Sequence, residues 1–435
     1  MENALEKRLT DLYLSNAEMI AEGLPASMNR PRSEALETFN LAGIPDRGSA
    51  RGDRYHYTGL REVFGAEYES YFTPSYAGVE PVCEDLPGRH IPFLNGFCRT
   101  AEPLVEEPSG VIFGSLAEAA VRHPDLVGRH YDRLAGAQGD AVSALNTVFV
   151  QDGAFVYVPR GTEVAGPIVV TFARYGEGEA LRTFSRCLFV FEEGSRARIV
   201  IDNRSQGEEA GLDCQVREVF VARGAEVEIV ETIRANDRSS LVSSCWAEQR
   251  ADSRLHTLSV ALSGRLLRSD LRVRLAEPGA ENRTDGLMLS GTGEHIDFHT
   301  DIVHAAPDCT SRELFRGIAS EGGTGVFSGR IYVAQDAQRT QAFQQSNNLL
   351  LGPGAHIYAK PQLEIYADNV KCSHGATVGQ LSAEAVYYMR QRGISLHDAR
   401  RLQMFGFAGQ VIGRTPVEGL TETLEAMAAA KIESM

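Results

Sequence analysis

A recurring series of short bends constrains the fold of this chain more than any other feature. From Leu145 onward, strand-like runs are interrupted by small-residue bends. These bends are Glu193-Gly194-Ser195, Arg223-Gly224-Ala225, Ala251-Asp252-Ser253, Pro278-Gly279-Ala280 and Gly352-Pro353-Gly354-Ala355. The first four follow one another at intervals of 30, 28 and 27 residues, and a longer stretch with Gly322 and Gly323 precedes the last. A period of this size is typical of units that bury their apolar faces only by stacking.

Each unit contains two short strands around a bend, which suits one coil of a flattened parallel β-helix better than a four-stranded propeller blade. An antiparallel sandwich with similar strand lengths is the alternative. The predicted strands at the start of the repeat region are Thr147 to Val150, Ala154 to Val158, Ile168 to Phe172, Cys187 to Glu192, Ala197 to Ile201, Val216 to Ala222 and Val227 to Thr232.

Helical segments flank the repeats, which predicts an N-terminal helical and irregular domain (1–140), a β-helix core (141–378) and a C-terminal helical domain (379–435). In the last domain Ser382 is a predicted N-cap, and Ser395 with Asp398 forms a capping box that opens a helix through Phe405. A final helix carries an apolar stripe that suits either core packing or partner docking. Its residues are Leu420, Leu424, Met427 and Ala428.

Composition excludes several classes of function. The formal net charge of −15 argues against a nucleic-acid partner or an anionic membrane surface, because it repels phosphate. The seven cysteines are scattered without a Cys-x-x-Cys pair, so neither a disulfide framework nor a zinc knuckle is expected. The four lysines include no Gly-Lys-Ser/Thr motif, so any ATP hydrolysis is expected from a partner. No apolar run reaches the length of a membrane span and the first residues lack a signal-peptide core, which predicts a cytoplasmic protein.

The strongest candidate site is the stretch from Lys371 to Gln380, which follows a strand-like run predicted from Leu363 to Lys371. Strand alternation places Cys372 and His374 on one face, roughly 6–7 Å apart at Cα, and Ser373 on the other. A thiolate is a sulfur nucleophile and a soft metal ligand, and imidazole can join it on a metal. The alternative is a buried structural cysteine beside a solvated histidine.

The residues around this motif resemble the SufB/SufD family of SUF-system scaffolds for iron–sulfur cluster assembly. Gly375 follows the histidine where SufB sequences typically have Glu, which is similar to the SufD branch. The resemblance is dense from about Thr147 to Ile412 and thins toward the N-terminus, where Arg54-Tyr55-His56-Tyr57-Thr58 stands in place of a Trp-Lys-Tyr-Thr-like element. Further matching segments are Pro361 to Val370, Asp336-Ala337-Gln338, Thr340 to Gln344, Asn347 to Leu351 and Cys309 to Leu314.

The resemblance implies a right-handed parallel β-helix and a non-ATPase scaffold subunit of a SufB–SufC–SufD-type complex. It implies pairing with a SufB-like paralogue through the β-helix and docking of a SufC-like ATPase on the C-terminal helices, for which Ser382, Ser395, Asp398 and Phe405 are candidates. Cys372 and His374 would lie near the paralogue, where a nascent, transient cluster is held. Reduced flavin associated with the complex and a homodimer of the isolated chain are further implied expectations.

A second polar constellation and two rival functions stay open. His295, Asp297, His299 and Asp301 alternate along one strand face, so His295 and His299 could ligate zinc or iron, although the outward polar face of a half-buried strand is the favoured interpretation. An autonomous β-helix enzyme acting on a polysaccharide is the alternative function. A homodimeric storage or interaction protein, without bound iron or sulfide, is a third.

Overall fold

Two stacked, mainly parallel sheets of ten strands each form the body of the protein in the computed structural model. The structure describes residues 4–47, 52–74, 78–81, 86–136 and 140–435. From Ala154 onward, successive strands alternate between the two sheets and wind a solenoid of about eight turns, with helices at both ends of the chain. The prediction of a mainly β protein with a parallel β-helix core between helical segments is therefore confirmed.

The α-helices are α1 (Ala4–Ala21), α2 (Ala26–Asn29), α3 (Pro31–Ala42), α4 (Arg61–Gly65), α5 (Leu116–Arg122), α6 (Pro124–His130), α7 (Ala141–Phe149), α8 (Ala383–Gln391), α9 (Leu396–Ile412) and α10 (Thr421–Ser434), and a 3-10 turn spans Gly52–Tyr55. The strands are β1 (Arg89–Leu94), β2 (Phe97–Cys98), β3 (Leu104–Glu106), β4 (Ile112–Ser115), β5 (Ala154–Val158), β6 (Ile168–Arg174), β7 (Leu181–Phe191), β8 (Arg196–Ser205), β9 (Gly211–Val221), β10 (Glu226–Arg234), β11 (Ser239–Gln249), β12 (Arg254–Ser263), β13 (Leu266–Leu275), β14 (Glu281–Ser290), β15 (His295–His304), β16 (Thr310–Ala319), β17 (Thr324–Val333), β18 (Gln341–Leu350), β19 (His356–Ile365) and β20 (Lys371–Gly379).

Inward-facing side chains of the two sheets form the core of the solenoid. One sheet runs β2-β1-β6-β8-β10-β12-β14-β16-β18-β20 and the other runs β19-β17-β15-β13-β11-β9-β7-β5-β4-β3. Because parallel strands pair in register, equivalent positions of successive coils stack in rows. One apolar row includes Ala197, Val227 and Leu255, all of them buried between the sheets.

The bends lie on two edges of the solenoid, which corrects the single series expected from the sequence. Gly194, Gly224, Asp252 and Gly279 precede the strands of one sheet and all have positive φ. Gly354, at φ 69°, precedes β19 and therefore belongs to the opposite edge. The first edge continues instead through Asp308 and Arg339, both at φ 61°. These two non-glycine residues adopt the left-handed conformation, so a search for glycine does not find them.

The N-terminal region supplies strands as well as helices. β1 pairs in parallel with β6 in one sheet, and β3 and β4 extend the other sheet. The segment Thr147 to Val150, predicted as a strand, instead ends helix α7. Asp140 caps that helix by accepting from the Ser143 N–H at 2.9 Å, a start signal that outweighs the β propensity of its last residues. The division at residue 140 stays a prediction, but the sheets begin before it.

Residues 54–58 cross the outer face of the solenoid. Arg54 donates to Asp270 of β13 at 3.0 Å, and the Tyr55 ring packs under the Arg268 guanidinium. Tyr57 stacks on Tyr358 of β19 with 4.5 Å between ring centroids. The element that replaces the expected Trp-Lys-Tyr-Thr-like sequence therefore attaches the N-terminal region to the last coils.

The C-terminal helices return along the outside of the other sheet. Met404 and Val411 of α9 and Leu424 and Ile432 of α10 are buried in one apolar cluster with outward residues such as Leu287 of β14. The apolar stripe of α10 thus packs in the core. The burial of this stripe does not support the alternative interpretation, in which it docks a partner.

Candidate functional site

Strand β20 lies at the open end of the solenoid. It is the last strand of its sheet, and β18 is the strand with which it pairs among the described residues. The six residues of β20 that follow Ser373 are exposed, because no further described coil covers them. The candidate pair Cys372 and His374 therefore sits where a stacked β structure ends.

The structure brings Cys372 and His374 to the same side of β20, as strand alternation predicts. Their register partners on β18 are Ala342 and Gln344, both buried inward residues. Cys372 is half-buried against the apolar core of the solenoid, and burial raises the pKa of its thiol. His374 is exposed. The thiol and the imidazole thus face the continuation of the solenoid interior.

The expected single strand from Leu363 to Lys371 is wrong. β19 ends at Ile365 and β20 begins at Lys371, with a bend between them. Asp368 and Asn369 form this bend, and both residue types favour turns because their side chains compete for backbone hydrogen bonds. The candidate pair consequently lies at the start of a new strand on the opposite sheet from Leu363.

The free edge of β20 presents backbone hydrogen-bonding groups. The Lys371 N–H donates to the carbonyl of Thr340, the residue just before β18, at 2.9 Å. In a parallel ladder, alternate residues bond the same neighbour, so the N–H groups of residues 372, 374, 376 and 378 face away from β18. Such a row of groups is a template for another strand.

A buried acid and amide stand behind His374 in the same inward row. Glu313 of β16 pairs in register with Gln344, and Gln344 pairs with His374. The Gln344 Nε2 donates to Glu313 Oε2 at 2.6 Å. Burial raises the pKa of Glu313 to about 7, while the Thr300 hydroxyl and the Gln344 amide oppose that rise. Both residues lie in segments that resemble the family, but the sequence did not mark either of them as a site residue.

Glu313→Gln should stabilise the protein at alkaline pH. The folded-state pKa of about 7 lies above the ordinary 4.5, so the carboxyl group costs native stability progressively as pH rises from 4.5 to about 7. At pH 8 the neutral amide should gain up to about 3 kcal/mol of unfolding free energy, and near pH 4.5 little. Urea unfolding at pH 5 and 8 measures this, with the exposed Glu281→Gln on β14 as control. A stability difference independent of pH would contradict it.

His295 and His299 lie beneath the crossing segment 54–58 instead of facing solvent. The His295 Nε2 is 2.8 Å from Thr58 Oγ1, and the His299 Nδ1 is 3.3 Å from Asp270 Oδ1. Burial, helped by Arg47 and Arg268, lowers the pKa of His295 to about 4. Among the described residues, no three His, Cys, Asp or Glu side chains are gathered as a metal site requires. Packing of the crossing segment accounts for the polar character of this face.

The C-terminal candidate residues have structural contacts. Ser382 Oγ accepts from the Ala385 N–H at 3.2 Å, and Ser395 Oγ accepts from the Asp398 N–H at 3.0 Å, so both predicted caps are confirmed. Phe405 is half-buried in the C-terminal cluster. Their predicted role in partner binding stays a prediction.

An exposed apolar surface on α8 and α9 was missed by sequence reasoning. None of the residues of α8 is buried. Tyr387 and Tyr388 are 67% and 58% exposed, and Leu402 is 52% exposed. The adjacent tyrosines in a short capped helix were the available signal. Large apolar side chains exposed together are typical of a protein interface.

The other described cysteines are free, and most of them are buried. Cys187, Cys214, Cys245 and Cys309 are buried and free, and Cys98 is half-buried. Burial raises the pKa of Cys214 to about 12, which disfavours its reactive thiolate. Cys83 lies outside the described residues.

No helix in the described ranges is long and apolar enough to cross a membrane.

Comparison with protein families gives matches along most of the chain. Residues 174–407 match the family described as SUF system FeS cluster assembly, SufBD core domain. Residues 3–170 match the SufBD protein N-terminal region.

Curated relatives share the same description. A SufBD family iron–sulfur cluster assembly protein of Synechocystis is 27% identical over 402 residues, which cover 89% of this chain and 88% of the relative. The iron–sulfur cluster assembly protein SufD of Escherichia coli is 31% identical over 287 residues, 66% of this chain and 68% of the relative. SufD of Bacillus subtilis is 28% identical over 334 residues, 74% of each chain.

Proposed function

Because the chain belongs to the SufB/SufD family of iron–sulfur cluster assembly proteins, we propose that it is a non-ATPase scaffold subunit of a SufB–SufC–SufD-type complex. In this proposal, β20 carries Cys372 and His374 to the boundary with a SufB-like paralogue. A nascent cluster is held there transiently as cargo.

The observation that carries the proposal is the position of this pair on the last strand of its sheet, whose outer edge has no partner strand among the described residues. A thiolate and an imidazole are suitable ligands for iron in a cluster. Two ligands leave the coordination of a cluster incomplete, and no third described side chain completes it in this chain. The missing ligands would come from the chain that adds its strands beside β20.

The exposed surface formed by Tyr387, Tyr388, Leu396 and Leu402 supports docking of a SufC-like ATPase. It lies on α8 and α9, outside the apolar cluster that attaches α9 and α10 to the solenoid. The docking helices therefore keep a fixed connection to the β-helix, through which movement of an ATPase could reach the cluster boundary.

Co-expression of the tagged chain with a SufB-like and a SufC-like protein tests the proposal. We expect one complex containing all three proteins, with iron and acid-labile sulfide after anaerobic purification. A chain that purifies alone from this mixture, without iron or sulfide, would refute the scaffold role.

Ala376→Pro should weaken binding of the paralogue by roughly tenfold. Proline removes the N–H of residue 376, which faces the free edge, and leaves the ladder to β18 intact. One lost hydrogen bond accounts for about 1 kcal/mol, and the ring adds a steric obstacle to an approaching strand. Ala376→Val keeps the N–H and is the matched control. Binding measured by titration and unchanged in Ala376→Pro would place the interface elsewhere.

The polysaccharide-acting enzyme has less support, because the family is one of iron–sulfur assembly components. Reduced flavin in the complex and a homodimer of the isolated chain stay predictions, as does the cytoplasmic location. One relative, from Arabidopsis, has a name that places it in the chloroplast.

A further inference from the structure

A row of polar side chains runs inside one sheet and ends at His374. The row is continuous because each member pairs in register with the next along β12, β14, β16, β18 and β20. Its members are Thr257, Thr284, Glu313, Gln344 and His374. All but the last are buried. Each buried polar group needs a hydrogen-bond partner, so polar side chains in the core are less suited to packing than apolar ones. A polar row that ends at the candidate ligand therefore suggests a role beyond packing.

Gln344 is a member of this row that lacks a hydrogen-bond donor for its amide oxygen. It is 2% exposed, and its Oε1 has no hydrogen-bond partner among the described residues, although its Nε2 donates to Glu313. The facing sheet also limits the space around this amide. A Cβ placed on Gly329 of β17 would lie 2.2 Å from the Gln344 Nε2. The side chain therefore fills a narrow space in which one oxygen remains unpaired.

Glu313 determines which end of this amide faces away from it. An ionised carboxylate only accepts hydrogen bonds, so it holds the amide nitrogen and leaves the oxygen for another donor. The next residue in the row is His374, on a strand about 5 Å away. Side chains stacked at this spacing can hydrogen-bond, so an imidazole N–H is the donor that the row offers to this oxygen.

We propose that Gln344, held by Glu313, is a positioning residue for His374. Its amide oxygen accepts one imidazole N–H and fixes the tautomer, so that the lone pair of the other ring nitrogen faces the open end of the solenoid. Ligating histidines are commonly oriented in this way by a hydrogen bond to their second nitrogen. The use of that lone pair for a cluster rests on the proposed function, whereas the tautomer itself does not.

The charge environment is consistent with this arrangement at alkaline pH. The pKa of Glu313, raised by burial to about 7, leaves the carboxylate mostly ionised at pH 8.5. The neighbouring carboxylate is Asp301 of β15, which is occupied by Arg330 at 3.0 Å. Thr284, Gln344 and Thr300, the residues beside Glu313 on the adjacent and facing strands, carry no charge.

Nitrogen-15 NMR of the histidine-labelled full chain at pH 8.5 tests the proposal, with His374 assigned from the signal lost in His374→Ala. We expect one dominant tautomer in the unmodified protein. Gln344→Met removes the acceptor at similar volume and should shift the tautomer ratio by about fivefold, the equivalent of one hydrogen bond of about 1 kcal/mol. Gln345→Met makes the same change at an exposed neighbour of opposite parity and should leave the ratio unchanged.

Glu313→Gln gives a second test that does not depend on the folding of Gln344→Met. The new amide both donates and accepts, so it no longer fixes the orientation of Gln344, and the tautomer ratio should shift in the same direction. An unchanged ratio in a folded Gln344→Met, or in Glu313→Gln if the former does not fold, would overturn the proposal. This experiment does not measure cluster content. A negative result would therefore overturn the proposal about the His374 tautomer without bearing on the proposed scaffold function.

Discussion

Glu218→Ala should destabilise the protein by about 3–5 kcal/mol, a large part of the stability of an ordinary domain. Glu218 of β9 pairs with the fully buried Arg186 of β7, with 2.8 Å between Oε2 and Nη2. It also accepts from the backbone N–H groups of Asp132 and Leu134, each at 2.8 Å. One carboxylate therefore links the solenoid to the N-terminal region.

The cost arises mainly from what the substitution leaves behind. Burial alone would lower the pKa of Arg186, but Glu218 and Asp132 raise it above its usual value, so the guanidinium stays charged. Without Glu218, the remaining charged partner of this buried cation among the described residues is Asp132, at 2.7 Å. Buried charges with reduced pairing are among the most destabilising features of mutant proteins.

Urea unfolding and limited proteolysis of the N-terminal region measure this effect. The matched control is Glu226→Ala, which removes a glutamate from the exposed ladder between Arg196 and Arg254. That change should cost less than about 1 kcal/mol, because exposed ion pairs are screened by water. Equal losses in the two variants would show that Glu218 does not connect the two regions.

The β-helix could be predicted from the sequence because glycine marks many of its bends. Gly194, Gly224 and Gly279 reveal the period directly, since positive φ favours glycine. Asp308 and Arg339 occupy equivalent bends without glycine, so part of the period was invisible. The sequence prediction also placed bends from both edges of the solenoid in one series, because the sequence of a bend does not show on which edge it lies.

The candidate site was predictable along one strand but not across strands. Alternation places Cys372 and His374 together because both belong to β20. Glu313 and Gln344 reach the same row only through the register of β16, β18 and β20. That register depends on coil lengths between strands, which local patterns do not fix. The crossing segment that contacts His295 was hidden likewise, because Thr58 lies 237 positions before that histidine.

His374→Ala should lower the cluster content of the assembled complex by at least about tenfold. The imidazole is the exposed member of the pair, whereas the Cys372 thiol is half-buried and its pKa is raised. Loss of an oriented ligand typically costs that much in metal affinity or more. Cys372→Ser should have the same or a smaller effect. Ser373→Ala, on the opposite face of β20 in register with Phe343, is the matched control and should be near neutral.

The most direct measurement is iron and acid-labile sulfide per complex, determined anaerobically after co-expression of the chain with its SufB-like and SufC-like partners. Subunit stoichiometry is determined on the same samples. We predict that His374→Ala loses iron and sulfide together while all three subunits remain, and that Ser373→Ala retains both. A His374→Ala complex with normal iron and sulfide would show that the partner alone holds the cluster and that this strand end is a solvated histidine beside a structural cysteine.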